Sequence, residues 1–324
     1  MASVWRGQLR NPTGVSRRQA FIGIFCAVLS AICFASKGIF AKFLYADGWN
    51  FEAVLAVRSI LALPIMLVFA LWRTGLDSLR GAPLNAILGA AAAGALCYYA
   101  GASLDFYALT LLDVGVERVL LYSYPSMVVV LYAVIYRTWP RPSMVGALAV
   151  TYLGIFLVIS GFDLHVFQGN LTGSGLVLAC ALTMAIYYLA SDRYTGVLGS
   201  IGYTLCAMTG ATTCLTLQYT VRHGLVIPAF HTNDYYLMGG LVLFATTLPM
   251  LLLATAVQRL GPERTAVIST VGPPATLILG GWLLAEHLRL AQWLGVVCII
   301  SGILILEYAR RRATRSGISR RSTI

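Results

Sequence analysis

The stretch that decides the fold covers residues 113–161 and reads DVGVERVLLYSYPSMVVVLYAVIYRTWPRPSMVGALAVTYLGIFLVISG. A second stretch, residues 261–309, repeats its plan and reads GPERTAVISTVGPPATLILGGWLLAEHLRLAQWLGVVCIISGILILEYA. Each contains a Glu-Arg pair, an apolar run with an early proline, a short charged or basic turn, and a second apolar run with a glycine. These shared features indicate that the chain contains one building unit twice.

The spacing of the shared residues supports a repeat. Pro125 and Pro273 are 148 positions apart, and so are Gly154 and Gly302. The two Glu-Arg pairs are 146 positions apart, which leaves a slip of two residues between each pair and its proline. The same offset of 148 also aligns residues 108–109, at the end of one earlier apolar run, with residues 256–257, at the end of another. The chain is therefore expected to consist of two related halves.

The composition is that of a membrane protein. Of the 324 residues, 59% are hydrophobic and 11% are charged, and the mean hydropathy is +0.80. A soluble protein of this length carries about 25% charged residues. Apolar runs of more than about 18 residues, which is enough to cross a bilayer core of about 30 Å, occur repeatedly. Such continuous runs form helices, because membrane-spanning strands alternate apolar and polar residues.

We predict ten membrane-spanning helices, numbered here as spans 1 to 10 in chain order. The connections between them are short, as in a compact helical bundle. The spans cover residues 20–45, 51–73, 84–111, 115–136, 143–161, 171–191, 199–221, 235–258, 264–285 and 290–308.

The placement of arginine and lysine predicts the orientation. If both termini are cytoplasmic, 17 of the 23 basic residues lie on the inner side and only four lie at the outer ends of spans. The reverse orientation would break the positive-inside rule. We therefore expect a multi-pass protein of the inner (plasma) membrane with cytoplasmic N- and C-termini. The basic N-terminal segment precedes an apolar run too long for a signal peptide, which indicates a retained first helix.

The net charge of +11 does not predict a nucleic-acid partner. Most of the basic residues lie on the cytoplasmic side, and the arginine-rich tail is expected to contact anionic lipid headgroups. The expected partners are therefore the lipid bilayer and a small-molecule substrate, with no nucleic acid. Because the chain carries both halves, we expect it to act as a monomer.

Each half contains five spans, and because five is odd, the second half must enter the membrane from the opposite side. The Glu-Arg pairs agree, since Glu117 opens span 4 on the outside and Glu263 opens span 9 on the inside. The predicted fold class is an all-α polytopic membrane protein with ten transmembrane helices as two inverted five-helix repeats. The predicted segments are a cytoplasmic N-terminal segment, a first half, a second half and a basic cytoplasmic tail, at residues 1–19, 20–162, 170–308 and 309–324.

Inverted repeats are the usual construction of secondary transporters, because two such halves can exchange conformations around a site near the midplane. The sequence therefore favours a secondary transporter.

The alternative from another class of protein is a membrane-embedded enzyme. The sequence has no HExxH, GxSxG or P-loop pattern, and its four histidines lie outside the spans. Its seven cysteines lie in apolar runs without a CxxC pair. Neither a metal nor another cofactor is therefore expected.

The same features resemble a known family. Ten spans in two halves, a proline-bearing span 9, a glutamate-bearing turn at residues 284–288 and a glycine-bearing last helix are similar to the drug/metabolite transporter superfamily. Within it, the chain resembles the EamA-like exporters and, through two Tyr-Tyr pairs, the bacterial aromatic amino-acid exporters of the YddG group. The resemblance covers residues 20–308. One departure is Arg137, which stands after span 4, where the family often has an acidic residue.

The resemblance implies export of aromatic or neutral amino acids, with Met and Thr among the candidates, by alternating access around a central cavity. Small amphipathic drugs are further candidate substrates. A nucleotide-sugar or phosphate-ester carrier is an alternative, although such a site needs several buried cations. The spans offer at most two, Lys37 and Arg58. A lipid flippase or a channel also stays open.

Two Tyr-Tyr pairs lie deep in apolar spans, at residues 98–99 in span 3 and 187–188 in span 6. Tyrosine usually lies at the membrane interface, and a hydroxyl at mid-depth needs a polar partner or a hydrated cavity. We interpret Tyr98, Tyr99 and Tyr187 as substrate-binding residues that line a cavity. The alternatives are a hydrogen bond between helices and a position at the interface.

Prolines at matching places in both halves mark a second group of candidates. A proline inside a span frees a backbone carbonyl, which a neighbour or water in a cavity must satisfy. The alternative is a kink that only aids packing. The expected hinge positions are Gly101, Pro125, Pro249 and Pro273. The neighbouring hydroxyl side chains that are expected to bind substrate are Tyr122, Ser123, Thr246, Ser269 and Thr270.

Charged residues inside spans are functional candidates, because a charge at a helix centre costs at least about 2.5–3.5 kcal/mol. Lys37, with Ser36 beside it, is expected to hold a substrate carboxylate. The alternative is that Lys37 reaches the outer lipid headgroups, and we interpret Arg58 in that second way. Asp105 is the acidic residue nearest the midplane and the candidate for proton coupling, although a facilitator without coupling is the favoured hypothesis.

Overall fold

The fold is helical throughout the part of the chain that the structure, a computed structural model, describes. The described residues are 17–73, 77–108, 111, 120–137, 139–140, 142–160, 171–224, 231–275 and 290–321. Every regular element within them is a helix, which confirms the predicted all-α class. The Glu-Arg pair at 117–118 and the turn at 284–288 lie outside the described residues.

The first half contains spans 1 to 5. Span 1 is divided at Ser36, where a turn separates two helices, although the sequence predicted one continuous helix. A short helix, Asp77–Arg80, lies between spans 2 and 3. The helices are Arg17–Ala35 and Lys37–Ala46 in span 1, Phe51–Arg73 in span 2, Leu84–Gly94, Ala95–Gly101 and Ala102–Ala108 in span 3, Tyr124–Tyr136 in span 4, and Pro142–Ser160 in span 5.

The second half contains spans 6 to 10. Spans 6 and 7 form one helical stretch, Leu171–His223. The other helices are Thr232–Val242, Leu243–Thr247 and Leu248–Leu260 in span 8, Pro262–Ile268 and Ser269–Val271 in span 9, and Leu290–Arg321 in span 10.

A break at Gly199 separates spans 6 and 7. The stretch Leu171–His223 has 53 residues and would extend about 80 Å as a straight helix, more than twice the thickness of the bilayer core. At Gly199 the backbone has φ 68° and ψ 169°, a conformation that favours glycine. Span 6 therefore extends to Leu198, seven residues beyond the predicted end at 191.

In the described part of the chain, five helical stretches are long and apolar enough to cross a membrane. The broken stretch of spans 6 and 7 counts once among them. They are Arg18–Ala35, Phe51–Trp72, Leu84–Ala108, Leu171–His223 and Thr232–Leu260. Shorter apolar helices cover Tyr124–Tyr136, Pro142–Leu157 and Trp293–Ile305.

Spans 3 and 8 share a backbone irregularity. A π-helical segment occupies Ala95–Gly101 in span 3, and another occupies Leu243–Thr247 in span 8. Their first residues, 95 and 243, are 148 positions apart, which is the offset of the prolines. Such π segments are rare and occur frequently at functional sites. The repeat read from the sequence is therefore also present in local backbone geometry.

Spans 4 and 9 share a second irregularity. In span 4 a turn at residues 122–123 precedes Pro125, and in span 9 a 3-10 helix at Ser269–Val271 precedes Pro273. A proline cannot donate a hydrogen bond to the preceding turn, which favours irregular backbone before it. Both spans consequently change helix geometry at equivalent depths.

Small residues let helices from the two halves approach closely. In spans 5 and 10, a Cβ on Gly154 would lie 2.7 Å from the carbonyl oxygen of Gly295. In spans 3 and 7, a Cβ on Gly94 would overlap the backbone of Ala207. In spans 1 and 8, the Ser30 hydroxyl donates to the carbonyl of Pro249 at 2.8 Å. Close approach of this kind is the usual basis of helix association in membranes.

Candidate functional site

The centre of the molecule, where spans 3, 4, 6 and 7 meet, holds a group of tyrosines from both halves. Besides the pair Tyr132 and Tyr136 of span 4, six described tyrosine rings of these spans each contact at least one other. We call these six residues the tyrosine cluster: Tyr98, Tyr122, Tyr124, Tyr187, Tyr188 and Tyr203.

One branch of the cluster joins spans 3, 6 and 7. The ring centroids of Tyr98 and Tyr187 are 4.8 Å apart with an interplanar angle of 74°, an edge-to-face contact. Tyr203 lies 5.4 Å from Tyr187, and its hydroxyl donates to the Tyr187 carbonyl at 3.2 Å. These distances are in the range where aromatic pairs attract each other. The two predicted residues Tyr98 and Tyr187 thus lie together, and they contact each other at the place where the sequence predicted a cavity.

The other branch joins spans 4, 6 and 9. The centroids of Tyr124 and Tyr188 are 5.5 Å apart, and those of Tyr122 and Tyr124 are 5.9 Å apart. The Tyr188 hydroxyl donates to the Ser269 hydroxyl at 3.2 Å, and Ser269 donates to the carbonyl of Thr265 at 2.9 Å. This branch therefore brings the predicted residues Tyr122 and Ser269 to the same interior region.

A pair of opposite charges lies toward the C-terminal ends of spans 1 and 3. Lys37 Nζ is 3.8 Å from Asp105 Oδ2, and it also lies 5.4 Å from the centre of the Phe106 ring. Lys37 begins the second helix of span 1, directly after the turn at Ser36. The predicted substrate-binding lysine and the predicted coupling carboxylate are therefore partners in this conformation.

Arg58 lies beside this pair, and the interpretation that it reaches the lipid headgroups is wrong. Its exposed fraction is only 6%, and its Nε is buried without a hydrogen-bond partner in the described part of the chain. It interacts electrostatically with Tyr45, Tyr98 and Asp105. The face of span 2 that carries Arg58 packs inward, and its guanidinium is within electrostatic range of both Asp105 and Tyr98.

Where the N-terminal end of span 2 meets the C-terminal end of span 7, polar contacts connect the two halves. The Glu52 carboxylate accepts from Gln218 Nε2 at 3.2 Å and from Arg222 Nη1 at 2.7 Å, and it also contacts the His223 ring. Below these contacts lies a recess of about 10 Å³, which has room for about one water molecule. Its lining residues are Phe51, Glu52, Leu55, Ser103, Leu215, Gln218 and Tyr219.

Other predicted substrate-binding residues do not join the cluster. The hydroxyls of Ser36, Thr246 and Thr270 donate to backbone carbonyls three to five positions earlier in the chain. The Ser123 hydroxyl is buried and lacks a partner among the described residues. Tyr99 packs beside the apolar group around Phe106 and so lies on the side of span 3 nearer the charged pair.

The predicted hinge positions lie at the backbone irregularities. Gly101 ends the π-helical segment of span 3, and Pro249 follows the corresponding segment of span 8. Pro125 and Pro273 directly follow the irregular turns of spans 4 and 9. A Cβ on Gly101 would overlap the Thr183 hydroxyl of span 6, so this glycine also allows the halves to approach.

Sequence reasoning missed several residues of this region. Tyr124 lies in the run Tyr-Ser-Tyr-Pro at residues 122–125. Tyr122 was predicted to bind substrate because it lies close to Pro125, and the same reasoning applies to Tyr124. Tyr203 carries no such signal, because its contact with Tyr187 depends on how spans 6 and 7 pack. The contacts of Glu52 join residues more than 160 positions apart, which no local pattern indicates.

Among the described residues, no group of three or more His, Cys, Asp or Glu side chains is arranged to hold a metal ion. The polar groups of the centre are instead hydroxyls, one carboxylate and two cations beside aromatic rings. Such a lining is suited to binding an organic solute rather than to covalent chemistry.

A bundle of apolar helices in two halves, with aromatic and charged side chains in its interior, is the architecture of many polytopic membrane transporters. The chain belongs to the EamA-like transporter family, whose model matches it twice, at residues 21–160 and 171–308. The predicted membership of the drug/metabolite transporter superfamily is thereby confirmed, and the two matches agree with the two-repeat construction.

Curated relatives support the same conclusion. The chain is 30% identical over 298 residues to the uncharacterised transporter YcbK of Bacillus subtilis, covering 90% of this chain and 95% of that protein. It is 21% identical over 221 residues to the uncharacterised inner membrane transporter YicL of Salmonella typhimurium, covering 63% of this chain and 67% of that protein.

A solved crystal structure shares the fold. It superposes with a TM-score of 0.73 and covers 92% of this chain and 99% of its own, at 18% sequence identity. At that identity the likeness concerns the fold alone.

Proposed function

We propose that this protein is a secondary transporter that exports amino acids across the inner membrane, with both termini in the cytoplasm and one chain as the working unit. The substrates are aromatic and other neutral amino acids, with Met and Thr among them. The two halves exchange conformations and expose the central region first to one side and then to the other.

The tyrosine cluster is the observation that carries this proposal. Its rings come from spans 3 and 4 of the first half and spans 6 and 7 of the second half. When the halves separate, ring contacts between them are lost, and an aromatic or apolar substrate side chain replaces them at little cost. Hydroxyls such as that of Tyr188 supply the few polar contacts that fix a small substrate.

The charged groups beside the cluster support a substrate with charges of both signs. Lys37 and Arg58 attract a carboxylate, whereas Asp105 attracts an ammonium group and repels a phosphate. A zwitterionic amino acid matches this combination better than a nucleotide sugar does. Export through this site needs no proton-binding histidine, so we expect a facilitator that runs down the substrate gradient.

Counterflow in liposomes tests this proposal. Purified protein is reconstituted into vesicles loaded with unlabelled phenylalanine, and uptake of labelled phenylalanine is measured with no ion gradient. We expect uptake that excess methionine or threonine inside also drives and that a nucleotide sugar does not. Protein-free vesicles are the control. Counterflow with the nucleotide sugar alone, or with none of these solutes, would overturn the proposal.

A further inference from the structure

Three buried polar atoms near the outer end of spans 1 to 3 lack hydrogen-bond partners in the described part of the chain. They are Oη of Tyr45, Nε of Arg58 and Oδ1 of Asp105. The three residues lie on three different helices and interact electrostatically with one another. Buried polar groups are almost always paired in native proteins, so three unpaired atoms in one place point to a ligand.

We propose that Tyr45, Arg58 and Asp105 form a subsite that binds the α-ammonium and α-carboxylate groups of a zwitterionic amino acid. Arg58 Nε is a donor and suits the carboxylate, and Asp105 Oδ1 is an acceptor and suits the ammonium group. The Tyr45 hydroxyl donates or accepts and so completes either contact. This inference rests on the proposed function and specifies which end of the substrate the site recognises.

The charge of the subsite agrees with this ligand. Asp105 already faces Lys37 through Oδ2, and Arg58 adds a second cation, so the three charges sum to one excess positive charge. A zwitterion leaves this total unchanged, so the agreement lies in the pairing of individual groups, because each buried charge is costly until an opposite charge faces it. A carboxylate neutralises Arg58, while Asp105 keeps one oxygen for the ammonium group. A simple anion leaves that oxygen unsatisfied, and a simple amine leaves Arg58 unsatisfied.

The residues around the subsite determine the direction in which the side chain of the substrate extends. On one side the Phe106 ring lies against Phe51 and Tyr45 and closes the subsite with apolar surface. On the other side Arg58 reaches toward Tyr98, the first residue of the tyrosine cluster. A ligand with its charged end at Arg58 and Asp105 therefore directs its side chain toward the tyrosine cluster.

Ligand binding to the purified full-length protein tests the subsite. Four ligands with one aromatic ring are compared by calorimetry: phenylalanine, its amide, phenethylamine and 3-phenylpropionate. We expect wild-type protein to bind phenylalanine at least about tenfold more tightly than the other three. Arg58→Gln should remove the preference over the amide, and Asp105→Asn should remove the preference over 3-phenylpropionate. Tyr45→Phe, a milder change, should weaken phenylalanine binding about threefold.

Control variants and counterflow separate the possible failures. Arg80→Gln removes an exposed cation on a short connecting helix and should bind all four ligands as the wild type does. Each variant must elute as a folded monodisperse protein. Equal binding of all four ligands to the wild type, or a preference that survives Arg58→Gln and Asp105→Asn, overturns the subsite even if phenylalanine counterflow persists. Normal head-group selectivity without counterflow would instead overturn the proposed transport function.

Discussion

Spans 3 and 8 have matching backbones and different side chains. Both contain a π-helical segment, and the two segments begin 148 positions apart. At the same offset, however, Asp105 of span 3 corresponds to Leu253 of span 8, and Tyr98 corresponds to Thr246. The backbone of the repeat has thus been kept, while at these two matched positions the charged and the aromatic residue occur on span 3 alone.

This difference indicates that the backbone of the repeat and its side chains serve two different requirements of a transporter. Alternating access requires that the halves can adopt each other's conformation, which depends on backbone geometry and therefore on matching irregular turns. Recognition of a small asymmetric solute requires different groups around it, which symmetric side chains would not supply. The predictions below transfer residues or break contacts to separate these two requirements.

The largest effect is expected at the closest contact between the halves. Gly94 of span 3 has Val242 at the same offset in span 8. Gly94→Val places a side chain against the backbone of Ala207 in span 7, which no rotamer change can relieve. We expect a loss of about 3 kcal/mol or more in stability and little folded protein, measured by size-exclusion chromatography and thermal unfolding in detergent.

The matched control is Gly146→Val in span 5, where a Cβ would meet no atom within 4 Å. This variant should express and unfold like the wild type. If both variants behave alike, the separation of spans 3 and 7 is not set by this glycine, and the first half tolerates the residue of the second.

The next effect concerns the charged pair. Asp105→Leu gives span 3 the residue of span 8 and removes the carboxylate that faces Lys37 at 3.8 Å. Breaking a buried pair typically costs about 3–5 kcal/mol, but Lys37 is partly exposed, so we expect about 2 kcal/mol. Thermal unfolding measures the loss, and counterflow measures a fall in transport of at least about tenfold.

The double variant Lys37→Met/Asp105→Leu separates stability from binding. Removing both charges should restore part of the unfolding temperature, because Lys37 no longer lacks its partner, whereas the buried Arg58 still lacks the Asp105 carboxylate. Transport should stay low, since the ammonium-binding carboxylate is still missing. Recovery of transport in the double variant would show that the charges serve packing alone.

A smaller effect is expected within the tyrosine cluster. Tyr188→Phe keeps the ring contact with Tyr124 and removes the hydroxyl that donates to Ser269 and so links spans 6 and 9. The expected loss is about 1 kcal/mol, the usual net worth of one hydrogen bond. Ser269→Ala should have a similar effect, and the double variant should be less destabilised than the sum. Additive losses would mean that the two hydroxyls act independently.

The sequence predicted the fold class and the repeat because both depend on features that recur along the chain. Apolar runs of membrane length and an offset shared by Pro125 and Pro273 are visible without any knowledge of contacts. The sequence predicted a connection at residues 192–198, but these residues are helical and the break lies at Gly199, the predicted first residue of span 7. The turn that divides span 1 at Ser36 was not predicted, because neither proline nor glycine lies at that position.

The candidate site was less predictable, because it depends on which helix faces meet. Arg58 stands in the outer half of an apolar span, and the same position suits either a residue that reaches the headgroups or one that faces the interior. Only the packing of span 2 against its neighbours decides between them, and it buries the side chain. The ring of Tyr203 is a similar case, since its partner lies on the other side of the break at Gly199.

The smallest effect is expected where Glu52 of the first half contacts Arg222 and His223 of the second. Arg222 is 62% exposed, and exposed ion pairs contribute only about 0–1 kcal/mol. Glu52→Gln should therefore leave stability nearly unchanged and raise the population open to the outside by at most about fivefold.

A cysteine in the recess below this contact measures that population. Ser103→Cys lines the recess, and its reaction with a membrane-impermeant thiol reagent should be faster when combined with Glu52→Gln. The Glu52→Gln variant without the new cysteine corrects for the seven native cysteines. An unchanged labelling rate would mean that the contacts of Glu52 do not hold the outer side closed, and that the two halves are kept together there by apolar packing alone.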